Sequence, residues 1–294
     1  MPSTMLRHCV VLAGFVALLV ITPMAFGLHL QLTGLAQAAA GSALLVGCSA
    51  LALNGSRPVP LSSRRAVPAV LATSAANAIT PAGIGGTLLI MRIHRRSGLT
   101  TEQAGAAAAL RTAFGAVIAM LVTAVVASRV GLEAMPSSHT ALLVVLGAAA
   151  ALLLATLAMP GTRRRAVVEV VRVSAALADV LRRPRCFISL TVGCLGVTAA
   201  QLLTLQGAVH AVGGRIAWSE LLVALLGSAA ARTALPLPGG VGPIEAALVG
   251  GLTALGMTWE AAASAVAVYR TAGHWLPVLA GVISIRELRR RHLI

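Results

Sequence analysis

Long apolar runs, with polar positions gathered at their ends, dominate the chain. About 20 apolar residues cross the hydrocarbon core of a bilayer as a helix. Runs of that kind cover 9–27, 34–53, 102–128, 139–159, 186–210 and 259–284, and each predicts a transmembrane helix. The first follows Arg7 and His8 as a signal peptide would, but it has no convincing small-residue cleavage site and reads as an uncleaved span. Two further apolar stretches are interrupted. Pro81-Ala-Gly-Ile-Gly-Gly86 breaks 66–91, and Pro236-Leu-Pro-Gly-Gly-Val-Gly-Pro243 breaks 218–255. Proline and glycine end helices, and non-helical backbone survives at membrane depth only where protein or a water-filled cavity covers it. Both stretches therefore predict broken hairpins.

Composition agrees with the pattern and excludes the main alternatives. Of 294 residues, 58% are hydrophobic and 11% charged, and the mean hydropathy is +0.91. A soluble domain carries about 25% charged residues to face water, so a soluble globular enzyme is excluded. The net charge of +15 comes entirely from arginine, since there is no lysine. Such a charge can signal nucleic acid, but four Phe, three Trp and one Tyr offer few stacking platforms, and no nucleic-acid partner is expected. Cys9, Cys48, Cys186 and Cys194 lie in or beside apolar runs without metal-ligand spacing. The histidines are scattered, and neither a phosphate-binding loop nor a nucleophile elbow is present. No metal, cofactor or catalytic residue is expected.

The arginines orient the spans, because short basic loops stay in the cytoplasm. Arg57, Arg64 and Arg65 precede the first broken stretch, while Arg92, Arg95 and Arg96 follow it, so it enters and leaves on one side. The loop 129–138, where Glu133 balances Arg129, suits the outside. The segment 160–185 holds seven arginines and two acids and belongs inside. The second broken stretch is then entered from outside, and the tail with Arg286, Arg289, Arg290 and Arg291 falls inside. On this reading 18 of the 23 arginines are cytoplasmic, all except Arg111, Arg129, Arg215, Arg232 and Arg270. Both termini are cytoplasmic. Within 160–185, Val167, Val170, Val171, Ser174, Leu177 and Leu181 share one helical face, which predicts a basic amphipathic helix able to meet anionic lipid. A plain solvated linker is the alternative.

Self-comparison reveals an internal repeat. Residues 98–115, GLTTEQAGAAAALRTAFG, match 256–273, GMTWEAAASAVAVYRTAG, with one residue of slack. Upstream, Pro81-Ala-Gly-Ile-Gly matches Pro238-Gly-Gly-Val-Gly. Each unit, 66–128 and 218–284, is a broken hairpin followed by an arginine-bearing span. By the charge map one starts inside and the other outside. That is an inverted-topology repeat, in which secondary transporters bind substrate near the midplane. The expected fold is all-α, a single integral membrane domain over 1–294, with about six transmembrane helices and two re-entrant broken-helix hairpins arranged as inverted repeats.

Candidate chemistry lies in the repeat. An arginine inside a bilayer costs roughly 3 kcal/mol or more and should face the bundle interior, paired. Arg111, Arg232 and Arg270 meet that description, and a guanidinium fork suits phosphate or carboxylate. A structural pairing with Glu245, Glu102 or Glu260 is the competing account. Glu245 follows Pro243 in the first turn of a half-helix, where a carboxylate is favourable by capping electrostatics alone. Pro238, Gly239, Gly240 and Gly242 in the second hairpin, and Pro81, Gly83, Gly85 and Gly86 in the first, permit close backbone approach and leave amides that can hold an anion. Hairpin geometry alone also accounts for them. Met135-Pro-Ser-Ser-His-Thr140 is similar to the histidine box of membrane lipid-phosphate phosphatases, but the partner boxes are absent, and a serine cap before His139 is simpler.

Leu235-Pro-Leu-Pro-Gly-Gly-Val-Gly-Pro-Ile-Glu-Ala-Ala-Leu248, followed by Gly256, Tyr269-Arg270 and Trp275-Leu-Pro277, resembles the lysylphosphatidylglycerol synthase transmembrane family, also called flippase-like. Thr80-Pro-Ala-Gly-Ile-Gly-Gly86, with Arg92 and Gly98, resembles that family's first hairpin, and the likeness spans roughly 54–285. The resemblance implies a polytopic domain of the bacterial inner membrane. It would move aminoacylated phospholipids or other lipid-linked head groups between leaflets, with the Pro-Gly-Gly loop at 238–240, Glu245 and Arg270 as the site. Members that synthesise lysyl-lipid carry a separate soluble aminoacyltransferase domain, absent from these residues, so synthase activity is not implied. The expected partner is a membrane phospholipid or lipid-linked substrate. A non-transporting scaffold for a cell-envelope glycosyltransferase or aminoacyltransferase is the alternative reading, followed by a lipid-phosphate phosphatase.

Overall fold

A computed structural model describes residues 30–57, 60–80, 84–130, 160–234 and 237–290. Among them the chain is all helical. The expected spans at 9–27 and 139–159, and the box around His139, lie outside the described residues. Helix α1 is Leu32–Gly55, α2 Ser63–Ala78, α3 Ile84–Arg96, α4 Thr101–Val130, α5 Pro160–Leu181 and α6 Pro184–Ala211. Helix α7 is Trp218–Ala234 and α8 is Pro243–Ala254, with a short 3-10 turn, Pro238–Gly240, between them. Helix α9, Trp259–Arg270, passes through a π-helical turn, Thr271–Trp275, into α10, Leu276–Arg290. Helices within Leu32–Gly55, Thr101–Val122 and Pro184–Ala211 are long and apolar enough to cross a membrane.

The antiparallel pair α1 and α6 forms the centre of the fold. Gly34 faces Ala211, Gly41 faces Thr204, Gly55 faces Leu190, Gly193 faces Ala52 and Gly207 faces Ala38. A side-chain carbon built on any of these glycines would run into the facing residue's backbone. Where lipid is as apolar as leucine, helices gain from packing backbones closely, and small residues permit it. Gly34, Gly41, Cys48 and Gly55 recur every seven residues on α1, as Gly193, Ala200 and Gly207 do on α6. A seven-residue repeat keeps one seam facing a partner along a left-handed supercoil.

Both interrupted stretches are broken hairpins. Helix α2 packs on α3, and α7 on α8. The repeat is visible in the backbone at the exit of each hairpin. Gly98 has φ +93° and Gly256 φ +92°. Gly98 N donates to Arg95 O and Leu99 N to His94 O, while Gly256 N donates to Thr253 O and Met257 N to Leu252 O. These are two copies of one glycine-terminated helix stop, in which the left-handed residue turns the chain so the last carbonyls are met. The threonine two positions later starts the next helix. Thr100 Oγ1 accepts from Gln103 N, and Thr258 Oγ1 from Ala261 N. Gly-x-Thr in the repeat is therefore a stop followed by a start.

The amphipathic segment is helical as the periodicity predicts, and part of it packs on protein. Val173, Ala176, Leu177 and Val180 lie against Leu110, Phe114, Phe187 and Leu190 of α4 and α6. Val171 and Leu181 stay exposed, since α4 and α6 together form a groove that takes the neighbouring stripe.

Candidate functional site

The break in the second hairpin is built from backbone that glycine makes accessible. Gly239, Gly240 and Gly242 have φ of +65°, +65° and +98°. Pro243 then starts α8, as proline does well where the first amide has no helical partner. Glu245, in the first turn, reaches back so that Gly242 N donates to its Oε2 at 2.7 Å. Its other oxygen meets Arg270, whose Nε donates to Glu245 Oε1 at 2.6 Å, while Nη2 donates to the Gly239 carbonyl at 2.9 Å. Arg270 is buried to 4% exposure, whereas the Glu245 side chain keeps 26%. The last turn of α9 thus pins both the loop and the half-helix that follows it. The ion pair carries one buried charge and one that reaches the surface of the site.

The second break meets the end of α2 here. A Cβ on Gly239 would lie 3.4 Å from the carbonyl oxygen of Ala78, the last residue of α2 before the first break, and 3.6 Å from His274 Nε2. Directly after Arg270 the helix widens into the π turn, and Ser42 of α1 donates to the Ala272 carbonyl there at 2.6 Å. Such single π turns insert a residue into a helix and recur at functional sites. Thr271 Oγ1 is buried without a hydrogen-bond partner among the described residues. The turn of the second hairpin, the end of α2, the π turn and the ion pair thus meet at one polar point.

The first hairpin differs. Pro81 and Gly83 lie outside the described residues. Gly85 and Gly86 sit in the first turn of α3, and their amides are already taken. Gly85 N donates to Thr80 Oγ1 at 2.9 Å, and Gly86 N to Asn77 Oδ1 at 2.8 Å. A Cβ on Gly86 would run into Asn77. These two glycines serve close packing and self-capping, and their amides are not left for an anion.

Arg111 also stands apart from Arg270. The α4 face that carries it packs on α6 at Cys194, where a Cβ on Gly115 would lie 3.8 Å from Cys194 Sγ. The π turn packs further along α6, against Thr204, where Gly273 faces the threonine methyl at 3.5 Å. Ten residues of α6 separate Cys194 from Thr204, about 15 Å of helix. The structure therefore brings Arg270, Glu245, Gly239 and Gly242 together, with Pro238 and Gly240 in the same turn, and leaves Arg111 elsewhere. Arg232 lies on the last helical turn of α7, before the break, and its side chain lies outside the described residues.

Nothing in the sequence marks Arg57 or His94 as a site: Arg57 belongs by its position with the loop arginines that fix sidedness, and no local signal sets it apart. In the fold it is 1% exposed and His94 is 0% exposed.

Helical spans, two broken hairpins and a charged pair at their junction define a polytopic α-helical membrane protein. The chain belongs to the family of the lysylphosphatidylglycerol synthase transmembrane region, whose model matches residues 8–281, nearly the whole length. A search of curated proteins gives no match.

Proposed function

We propose that this protein moves a phospholipid or lipid-linked head group between the leaflets of a bacterial inner membrane, with both termini in the cytoplasm. The class of cargo is an anionic or aminoacylated head group. The observation that carries the reading is the Arg270–Glu245 pair, fastened to the Gly239 carbonyl where the tip of one hairpin meets the end of α2. An anionic head group competes with Glu245 for the guanidinium, and a cationic aminoacyl group competes with Arg270 for the carboxylate. Either exchange releases the loop from the half-helix. Cargo binding and hairpin movement are thereby the same event, and only such differential contact shifts a two-state carrier. Family membership supports a role in lipid modification or movement, and the matched region is the transmembrane part.

Reconstitution in phosphatidylcholine vesicles with fluorescent anionic and aminoacylated lipids tests this. Dithionite quenching should reveal faster exchange between leaflets than in empty vesicles. Arg270→Ala should slow it about tenfold or more, as loss of a charged contact of 1.4 kcal/mol or greater would. Rates equal to those of empty vesicles across the lipid panel, with Arg270→Ala indistinguishable from wild type, would leave a scaffold as the better account.

A further inference from the structure

Arg57 lies two residues beyond α1 and its backbone is held firmly. Asn54 clamps the turn through paired hydrogen bonds, Nδ2 to Leu61 O at 3.0 Å and Leu61 N to Oδ1 at 2.9 Å. The Cys186 thiol of α6 contacts the Arg57 carbonyl at 3.4 Å. The side chain is among the largest fully buried ones in the fold, yet its Nε and Nη1 find no hydrogen-bond partner among the described residues. His94, at the last turn of α3, is equally buried, and both of its ring nitrogens lack partners. Leu53 and Leu61, on either side of Arg57, pack into one buried cluster with Ile93, the neighbour of His94, and with Ala108, one turn before Arg111 on α4. A helical side chain leans toward the N-terminus of its own helix, so Arg111 leans toward the end of α4 at which α3 arrives. Arg270 has Glu245 as its counter-charge, whereas neither Arg57 nor Arg111 has a carboxylate partner among the described residues.

Burying an ion without a counter-charge costs several kcal/mol. Unpaired buried donors cost more still, because each has lost its water without replacement. A buried guanidinium with two open donor positions, a second arginine, and an imidazole with free nitrogens make a set of donors that lacks an acceptor. The missing acceptor must be anionic and must offer several oxygens. A phosphate group meets that need, since a guanidinium fork matches two of its oxygens and a neutral imidazole can donate to a third.

We propose that Arg57, His94 and Arg111 form a binding site for a phosphate group, supplied by free phosphate or by a lipid head group, at the exit of the first hairpin and apart from the Arg270–Glu245 pair. Its occupancy is measurable without any lipid movement, so it stands or falls separately from the transport reading.

The full chain in phosphatidylcholine nanodiscs provides the test. Thermal midpoints are measured with sodium phosphate titrated against sodium chloride at matched ionic strength, and separately with phosphatidic acid in the disc. A ligand that binds only the folded state raises the midpoint in a saturable way. A rise in the first arm shows that the phosphate group suffices, and a rise only in the second shows that the acyl anchor is needed. Both support the site. Arg57→Met and His94→Leu should lose the response, and Arg57→Lys should weaken it about tenfold by replacing the fork with a point charge. Arg64→Gln, which removes an exposed arginine of α2, should retain it. If Arg57→Met does not fold, Arg111→Gln answers the same question. No shift in either arm, or equal shifts in wild type and Arg57→Met, overturns the proposal.

Discussion

The two hairpin units share a backbone and differ in chemistry. Each ends at a glycine with φ near +92°, turns through the same pair of carbonyl contacts, and begins its next helix on a threonine. Each then carries an arginine about three turns in, Arg111 in one and Arg270 in the other. Arg270 is closed by a carboxylate and a carbonyl from its own unit. Arg111 has no acidic partner among the described residues. Duplication thus preserves the positions where the chain must stop and start. Side chains between those positions are free to diverge, so one unit is internally neutralised and the other is left with excess positive charge.

The largest test of that contrast removes the carboxylate. Glu245→Ala leaves Arg270 buried and unpaired, and should cost about 3 kcal/mol, toward the low end for buried pairs because Glu245 is partly exposed. Thermal unfolding in detergent checks this, and the double variant Glu245→Leu with Arg270→Met should recover more than half of the loss. Arg111→Met, by contrast, breaks no ion pair and should leave stability unchanged or raised.

A second test uses acid. Burial first, then the Arg57 and Arg111 charges, push the His94 imidazole down to about 3. The folded state therefore takes up fewer protons than the unfolded chain, whose histidine titrates near 6.5. Stability should be complete above pH 6.5 and fall as the pH drops toward 3, by about 2 kcal/mol at pH 5. The second unit has Leu252 at the matching position, so His94→Leu should flatten the profile if this histidine is its source.

The smallest effect is the most symmetric. Gly98→Ala and Gly256→Ala each force a side chain into the left-handed region, although no neighbouring atom stands in the way. Each should cost about 1 kcal/mol. Midpoints that fall by clearly different amounts would show that the two stops are not mechanically equivalent.

Much of this was legible from the residues. Long apolar runs mark α1, α4 and α6 because a span has few ways to satisfy its backbone except as a helix. The breaks were legible because proline and glycine sit within otherwise apolar stretches. Glu245 and Arg270 stood out as charges where charge is expensive. Their direct pairing was legible only as one option among several, because 25 residues of chain separate them. Arg57 was not legible as a buried group at all. Its surroundings are set by Leu61 and Cys186, and by a fold that returns α6 to the end of α1 after more than a hundred residues. The seven-residue glycine series was present on both helices, but neither series names its partner until the two are seen side by side.

That seam has a mechanical consequence. Two helices in contact through glycine have no swinging side chains between them, and a slide of one residue would drive Thr204 or Leu190 into backbone. Helices α1 and α6 therefore have one usable register and must travel as a single rod. The hairpins and the widened turn after Arg270 rest on that rod through α2, α7 and the Ser42 contact. Any cycle that exposes the junction alternately to the two leaflets must rotate these lighter parts about a fixed axle.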